Sequence, residues 1–294
     1  MTSVDLGRIG VWGHLDSLTA DEARAYARRA DELGYGALWV PETVGREPFT
    51  LLGMLAGAAG RMALGTSIVS IWGRDAQTAR MGARTLADAT GGRFVLGLGV
   101  SHPHLAAKLR GHHFERPVAT MRAYLETYRK AVYRGPGADG PEPPVLIAAL
   151  RERMTDLAAT EADGAFPYLV TADRVAWMRA RLDAANGASR PLLAVTLPVA
   201  LDDDDRTASR AYLAPYLRTP TYQASWALQG FEPSDWEQPA SDRLVDAMVA
   251  RGGTPAVRAR IGELHDAGGD HVAIIPLTAE GGTENAGTLE RVAP

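Results

Sequence analysis

The chain has 294 residues, of which 46% are hydrophobic and 22% charged, and a formal net charge of -4. That balance builds a large core, and its sign argues against a polyanion-binding surface, so nucleic acid is not expected as a partner. The absence of cysteine excludes disulfides, thiolate metal ligands and a cysteine nucleophile, and agrees with a reducing cytoplasm.

The N-terminus, MTSVDLGRIGVWG, lacks a basic segment followed by a signal-type apolar run, and no apolar stretch reaches about 18 residues. A cytoplasmic location with no membrane partner is therefore expected. Ile9 to Trp12 reads as a short strand. Thr19 opens a helix with Ala23, Ala27, Ala30 and Leu33 at helical spacing, closed by Gly34. Ala37 to Val40 is again a strand, Phe49 to Ala59 a helix, Met62 to Ile71 a strand, and Ala76 to Thr90 a helix ending at Gly91-Gly92. Phe94 to Gly99, Val145 to Ala148, Ala165 to Tyr168, Leu192 to Ala200 and His271 to Ile275 read as further strands. The intervening helices are expected at Val118 to Tyr133, Arg151 to Thr160, Asp173 to Ala185, Asp205 to Tyr216, Arg243 to Val249 and Pro255 to Ala267.

Eight strands thus start at residues 9, 37, 62, 94, 145, 165, 192 and 271, each but the last followed by a helix. Continuous rather than alternating apolar runs suit parallel strands covered on both faces. The economical architecture is a single (β/α)8 barrel domain over residues 1–294, with a doubly wound open sheet as the alternative. Two stretches exceed ordinary loops, Ser101 to Arg116 and Thr219 to Asp242, and long loops at carboxyl strand ends shape active sites. Asp202 to Asp205 reads as a solvated acidic loop offsetting a helix dipole.

In a barrel, chemistry belongs at the carboxyl ends of the strands. Those ends are Gly13-His14, Pro41-Glu42-Thr43, Ser70 to Asp75, Gly99 to His104, Ala148 to Arg151, Tyr168 to Thr171, Pro198 and Pro276. No carboxylate pair for glycoside hydrolysis and no Gly-x-Ser-x-Gly elbow occurs among them. Gly97-Leu98-Gly99 invites a dinucleotide-binding reading, but His102 stands where the third glycine belongs and Pro103 disturbs the helix start. His102, His104, His112 and His113 fit no common zinc spacing, so no metal is assigned; His102 is better placed to bind substrate or donate a proton. Ser67 and Ser70 stand out in an apolar strand. They supply the polar partners that a buried ring would need, although small residues also suit a crowded barrel.

The run LGTSIVSIWGRDAQTAR followed by LADATGGRFVLGLGVSHPH resembles the luciferase-like flavin and deazaflavin oxidoreductase family, in particular its branch using the 5-deazaflavin coenzyme F420. ADELGYGALWVPE, ATMRAYLETYRKA, ADGAFPYLVT and SDRLVDAMVARGGTPAVRARI extend the likeness. The resemblance implies a bulge in the third strand, with a cis peptide between Ser67 and Ile68 pressed against one face of the cofactor ring, and Ser70 at the ring's polar edge. It implies an acidic residue near cofactor or substrate at Glu42, cofactor contacts at Gly99 and His102, and backbone amides of Tyr168, Leu169 and Val170 toward a coenzyme phosphate. Trp12, Trp72 and His104 would line the substrate pocket. Thr43 and Gly99-Val100-Ser101-His102 depart from the sugar-phosphate dehydrogenase sub-branch.

Hydride transfer between F420 and a small organic substrate follows as the expected activity, reducing an activated C=C or C=N bond, with His102, Glu42 and His14 as candidate proton carriers. An FMN-dependent two-component monooxygenase is the alternative, and a cofactor-free binding barrel a third reading. Similar proteins are usually homodimers.

Overall fold

The computed structural model describes residues 4–103, 105–185 and 190–294. Ten strands run in parallel: β1 (Ile9–Trp12), β2 (Ala37–Val40), β3 (Ala63–Thr66), β4 (Val69–Ser70), β5 (Phe94–Gly99), β6 (Val145–Ile147), β7 (Gly164–Ala165), β8 (Leu192–Ala200), β9 (Ala250–Arg251) and β10 (His271–Pro276). The pairings of β10 with both β8 and β1 close the ring. The barrel has eight staves, because β4 continues the line of β3 and β9 pairs only with the end of β8. Every strand anticipated from its apolar run lies in this ring, so the barrel stands and the open sheet does not.

Helices fill the outer layer. Ala20–Glu32 begins where Thr19 and Glu22 exchange side-chain and backbone hydrogen bonds in a capping box, and Asp75 caps Ala76–Ala89 through the Thr78 amide at 2.8 Å. Their buried alanines and leucines pack against outward-facing barrel residues such as Val11, Leu38, Leu64 and Leu96. Alternate strand residues, including Trp12, Trp39, Val95 and Ala273, belong to a second cluster inside the barrel.

Three expectations need correction. The stretch 219–242 is not a loop: it holds the helix Pro220–Ala227 and a 3-10 turn at Pro233–Asp235, whose Trp226 and Phe231 are buried. Scattered Pro, Trp and Gln hid a short helix whose buried face, Tyr222, Ser225 and Trp226, is interrupted by a serine and so gives no clear apolar stripe. The last strand is also followed by a helix, Ala286–Val292, started by Asn285. The acidic run is not wholly solvated either. Asp203 is buried and accepts from the Ala208 and Ser209 amides at 3.0 and 2.9 Å, capping the helix Thr207–Leu213. The segment 201–249 between β8 and β9 is therefore a helical cap. Tyr212, Leu217, Tyr222 and Trp226 from it join Trp12, Phe166 and Ile275 of the barrel interior in one apolar cluster. Among the described residues, no helix is long and apolar enough to cross a membrane.

The strand expected at Met62 to Ile71 is interrupted. Gly65 pairs with Val95 and Val69 with Leu98, so four steps on one side face three on the other, a one-residue bulge. Thr66 fills the broken ladder: its buried Oγ1 donates to the Gly97 carbonyl and accepts from the Gly97 amide, both at 2.8 Å. A Cβ on Gly97 would overlap the Thr66 carbonyl oxygen, and one on Gly99 would overlap Ile68. The Gly-Leu-Gly run thus makes room for the bulge, the physical reason it is not a dinucleotide fingerprint.

Deeper in the barrel, Trp39 Nε1 donates to His271 Nε2 at 3.0 Å, leaving Nδ1 to donate to the Gly7 carbonyl at 2.9 Å. Full burial lowers the His271 pKa to about 4, against partial support from the Gly7 bond. The unfolded chain therefore binds a proton that the folded chain refuses. Stability is full above about pH 6.5 and falls by about 3 kcal/mol as the pH drops from there through about 4. His271→Gln should flatten that part of a stability–pH profile measured by urea unfolding. Gly97→Ala should cost about 1–3 kcal/mol or more through overlap with backbone, read as a lowered Tm.

Candidate active site

Along residues 62–71 every side chain is buried except Ser67 and Ile68, the two that flank the bulge. Their peptide is cis. The bulge is tied to its neighbour strand by Ser67 N to Val40 O at 2.8 Å and Glu42 N to Ile68 O at 3.1 Å. Trp12 Nε1, at the end of β1, donates to the Ser67 carbonyl and hydroxyl oxygens, both at 3.1 Å. The Ser70 hydroxyl accepts from the Trp72 amide at 3.2 Å. Both serines act here as acceptors, so each keeps a hydroxyl hydrogen for a further partner.

On one side of the bulge lies a charged network. Glu42 accepts from the Ser70 amide at 2.5 Å, from Arg74 at 2.9 and 3.1 Å and from Arg110 at 2.9 Å. Glu47, the N-cap of the helix Pro48–Leu55, also takes Arg74 at 3.0 Å. The side chains of Glu42 and Arg74 are only 8% and 7% exposed. Four nitrogens thus face the two oxygens of Glu42, which ties the Ser70 amide to Arg74 and to Arg110 of the loop after β5. Trp72 turns the same way, donating to the Val100 carbonyl at 2.8 Å and facing His112 and Phe114 at 5.4 and 6.3 Å.

The other side is aromatic. Trp12 meets His14 edge-on at 4.9 Å and Tyr168 at 5.6 Å. The Tyr168 hydroxyl contacts those of Tyr212 and Tyr216, the latter at 3.0 Å. Tyr222 lies against Tyr168, Tyr216 and His102 at 6.0, 5.3 and 5.3 Å. Burial lowers the His14 pKa, opposed by Asp16 and Glu284, so its imidazole is neutral at pH 7. Burial pushes the Tyr168 and Tyr212 phenols well above their ordinary range, so both stay protonated.

The structure gathers Trp12, His14, Ser67, Ile68, Ser70, His102 and Tyr168 around one mouth. Gly99 lies behind the bulge rather than in the opening. Leu169 and Val170 bury their side chains, Leu169 with a φ of 54°. The next amide in that turn, Thr171, donates to Gln229 Oε1 of the cap at 2.8 Å. His104 lies outside the described residues. Sequence reasoning missed Arg110 and the cap tyrosines. The i, i+4 pair Tyr212 and Tyr216 and the similar pair Tyr222 and Trp226 were the available signal. Two surface grooves, of about 340 and 350 Å³, open at the amino-terminal side of the barrel around Tyr128 and around Gly7, away from the strand ends that carry chemistry in this fold.

The model of the luciferase-like monooxygenase family matches residues 1–271. The chain belongs to that family. Among relatives of this luciferase-like chain, a Mycobacterium tuberculosis protein that carries the name of a coenzyme F420-dependent oxidoreductase is 30% identical over 147 residues, 50% of this chain and 40% of that one. A phthiodiolone/phenolphthiodiolone dimycocerosates ketoreductase of the same species is 28% identical over 205 residues, 62% of this chain and 53% of that one. The matches thus span about half the length of these curated relatives. Two solved structures share the fold: an F420-dependent secondary alcohol dehydrogenase with an F420-acetone adduct (TM-score 0.79, 13% identity, 97% and 96% of the two chains), and the oxygenating constituent of 3,6-diketocamphane monooxygenase from Pseudomonas putida with FMN (TM-score 0.74, 16% identity, 97% and 96%).

If Glu42 positions rather than reacts, Glu42→Ala should destabilise the fold by about 3–5 kcal/mol, because buried Arg74 loses its buried partner and keeps only the half-exposed Glu47. Urea unfolding with unchanged stability would return Glu42 to the reacting groups.

Proposed function

We propose that this luciferase-like barrel transfers a hydride between coenzyme F420 and a small organic substrate, reducing an activated C=C or C=N bond. The observation that carries this is the bulge. Ser67 and Ile68 are the two open residues of an otherwise buried strand, and the free hydroxyl hydrogens of Ser67 and Ser70 suit ring carbonyls and nitrogens once water is excluded. The residues fit such a group: Ser67 and Ile68 would back one face of the ring, Ser70 would meet its polar edge, and Gly99 leaves Ile68 the space to do so. When bound, F420 supplies the hydride. The protein aligns the partners and handles one proton.

His102 and His14 suit that proton better than Glu42, whose oxygens already face donors. The neighbouring strands β5 and β6 lead into residues 101–116 and 148–153, which carry Lys108, Arg110, Arg116, Arg151 and Arg153 against Glu115 and Glu152. This basic excess suits the anionic oligoglutamate tail of F420, which FMN lacks. The same reading treats the chain as one barrel domain that works as a homodimer in the cytoplasm. The FMN-bound structural neighbour keeps an FMN-dependent monooxygenase as a second reading.

Titration of the purified protein with F420 and with FMN, followed by fluorescence quenching, tests this. F420 should bind, and more weakly as salt rises. Preference for FMN overturns the F420 assignment, and binding of neither overturns both redox readings. His102→Ala should lower turnover about 10²- to 10⁴-fold with cofactor affinity unchanged; normal turnover would remove His102.

A further inference from the structure

Near its two ends the cap 201–249 is tied to outer helices. Arg291 of the helix Ala286–Val292 binds Asp202, and Arg260 of the helix Gly253–Asp266 donates to the Asp246 and Ala247 carbonyls at 3.2 and 3.0 Å. Midway along, the cap meets the barrel at the turn after β7. There the Tyr168 hydroxyl joins those of Tyr212 and Tyr216, and the Thr171 amide donates to Gln229.

The Gln229 side chain serves two helix ends at once. Its Oε1 accepts from the Thr171 amide at 2.8 Å, just ahead of the helix Ala172–Ala185. Its Nε2 donates to the carbonyl and hydroxyl oxygens of Ser225, both at 3.2 Å, in the last turn of the helix Pro220–Ala227. Amides at the start of a helix and carbonyls at its end lack partners within the helix. A carboxamide, with one acceptor atom and one donor atom, satisfies both kinds. A carboxylate of the same length has no donor, and a thioether offers neither bond with useful strength.

The helix held in this way carries Tyr222. With Ser225 and Trp226 it forms the buried face of Pro220–Ala227, and its ring lies 5.3 Å from that of His102, with the planes at 53°, and 6.0 Å from Tyr168. His102 stands in the loop after β5, three residues beyond Gly99. A proton carrier acts only from within hydrogen-bond reach of its partner, so what packs against its ring bears on what it can do.

We propose that Gln229 is a positioning residue: by joining the turn after β7 to the helix Pro220–Ala227, it holds the Tyr222 ring against His102 and sets the orientation of that imidazole. This rests on the reading of the mouth as a hydride-transfer site with His102 as a proton carrier, and it names a residue on which that carrier depends.

The test uses the whole protein without cofactor, its seven histidines labelled with 13C at Cε1. The His102 signal in a 1H–13C correlation spectrum is the one missing from His102→Gln, and Tyr222→Leu measures how far the ring current of Tyr222 displaces it. Gln229→Met, which keeps the length and loses the amide, should move the His102 signal in the same direction and at least about half as far, while the signal of His271, deep in the barrel, stays in place and reports an intact fold. Hydrogen exchange at the Thr171 amide should quicken about three- to tenfold in that variant, the loss of one hydrogen bond. Gln229→Glu, which keeps the acceptor for Thr171 and loses the donor to Ser225, should also move the His102 signal but leave the Thr171 amide slow. A His102 signal that Tyr222→Leu moves and both Gln229 variants leave in place overturns the proposal, as does one that Tyr222→Leu itself leaves in place. Either result leaves the hydride-transfer reading standing, whereas failure of the wild-type protein to bind both F420 and FMN removes that reading whatever the histidine spectrum shows.

Discussion

The hydroxyl of Thr66 makes two hydrogen bonds to the two polar groups of Gly97, where the backbone ladder between adjacent staves skips a residue. The opening of the barrel depends on this exchange. It lets the strand shift its register without leaving buried peptide groups unpaired, and the shift turns Ser67 and Ile68 outward from a line of residues that otherwise faces the core. The glycines opposite are the other half of the device, since any side chain at 97 would occupy the space of the Thr66 carbonyl. Sequence features that invite a nucleotide-binding reading are here a matter of steric clearance.

Around that bulge the mouth divides by dielectric character. Toward β2 and the loop after β5, a buried carboxylate holds two guanidiniums and a backbone amide. Toward β1, β7 and the cap, tryptophan, histidine and tyrosine rings meet with few charges. A buried ion pair is a poor source of stability in itself, but it fixes the geometry of the strand end that carries Ser70. The aromatic half adds apolar area and neutral donors.

The eight staves and most helices were legible because parallel strands covered on both faces are continuous apolar runs, and because Thr19, Asp75 and the paired Gly91-Gly92 punctuate them. Ser67 and Ser70 were legible as polar residues in such a run. The cap was not. The helix Pro220–Ala227 buries one face, Tyr222, Ser225 and Trp226, but the serine on that face and the short length leave too weak an apolar stripe to mark a helix. Asp203 looked like solvated charge because a buried cap and an exposed acid have the same sequence. Arg110, nine residues after the Ser101 turn, reaches Glu42 only through the path of its loop, which no local spacing encodes.

Trp12 joins the two halves, since one indole donates to Ser67 and stacks toward Tyr168. The bulge and its tether are written in residues 12–99, whereas three of the four clustered tyrosines come from the insertion 201–249. Substitutions within that insertion can remodel one wall while the opposite floor keeps its shape. One short insertion can thus be redrawn on its own, because the fold places the shape of the floor and the lining of the wall in separate stretches of chain.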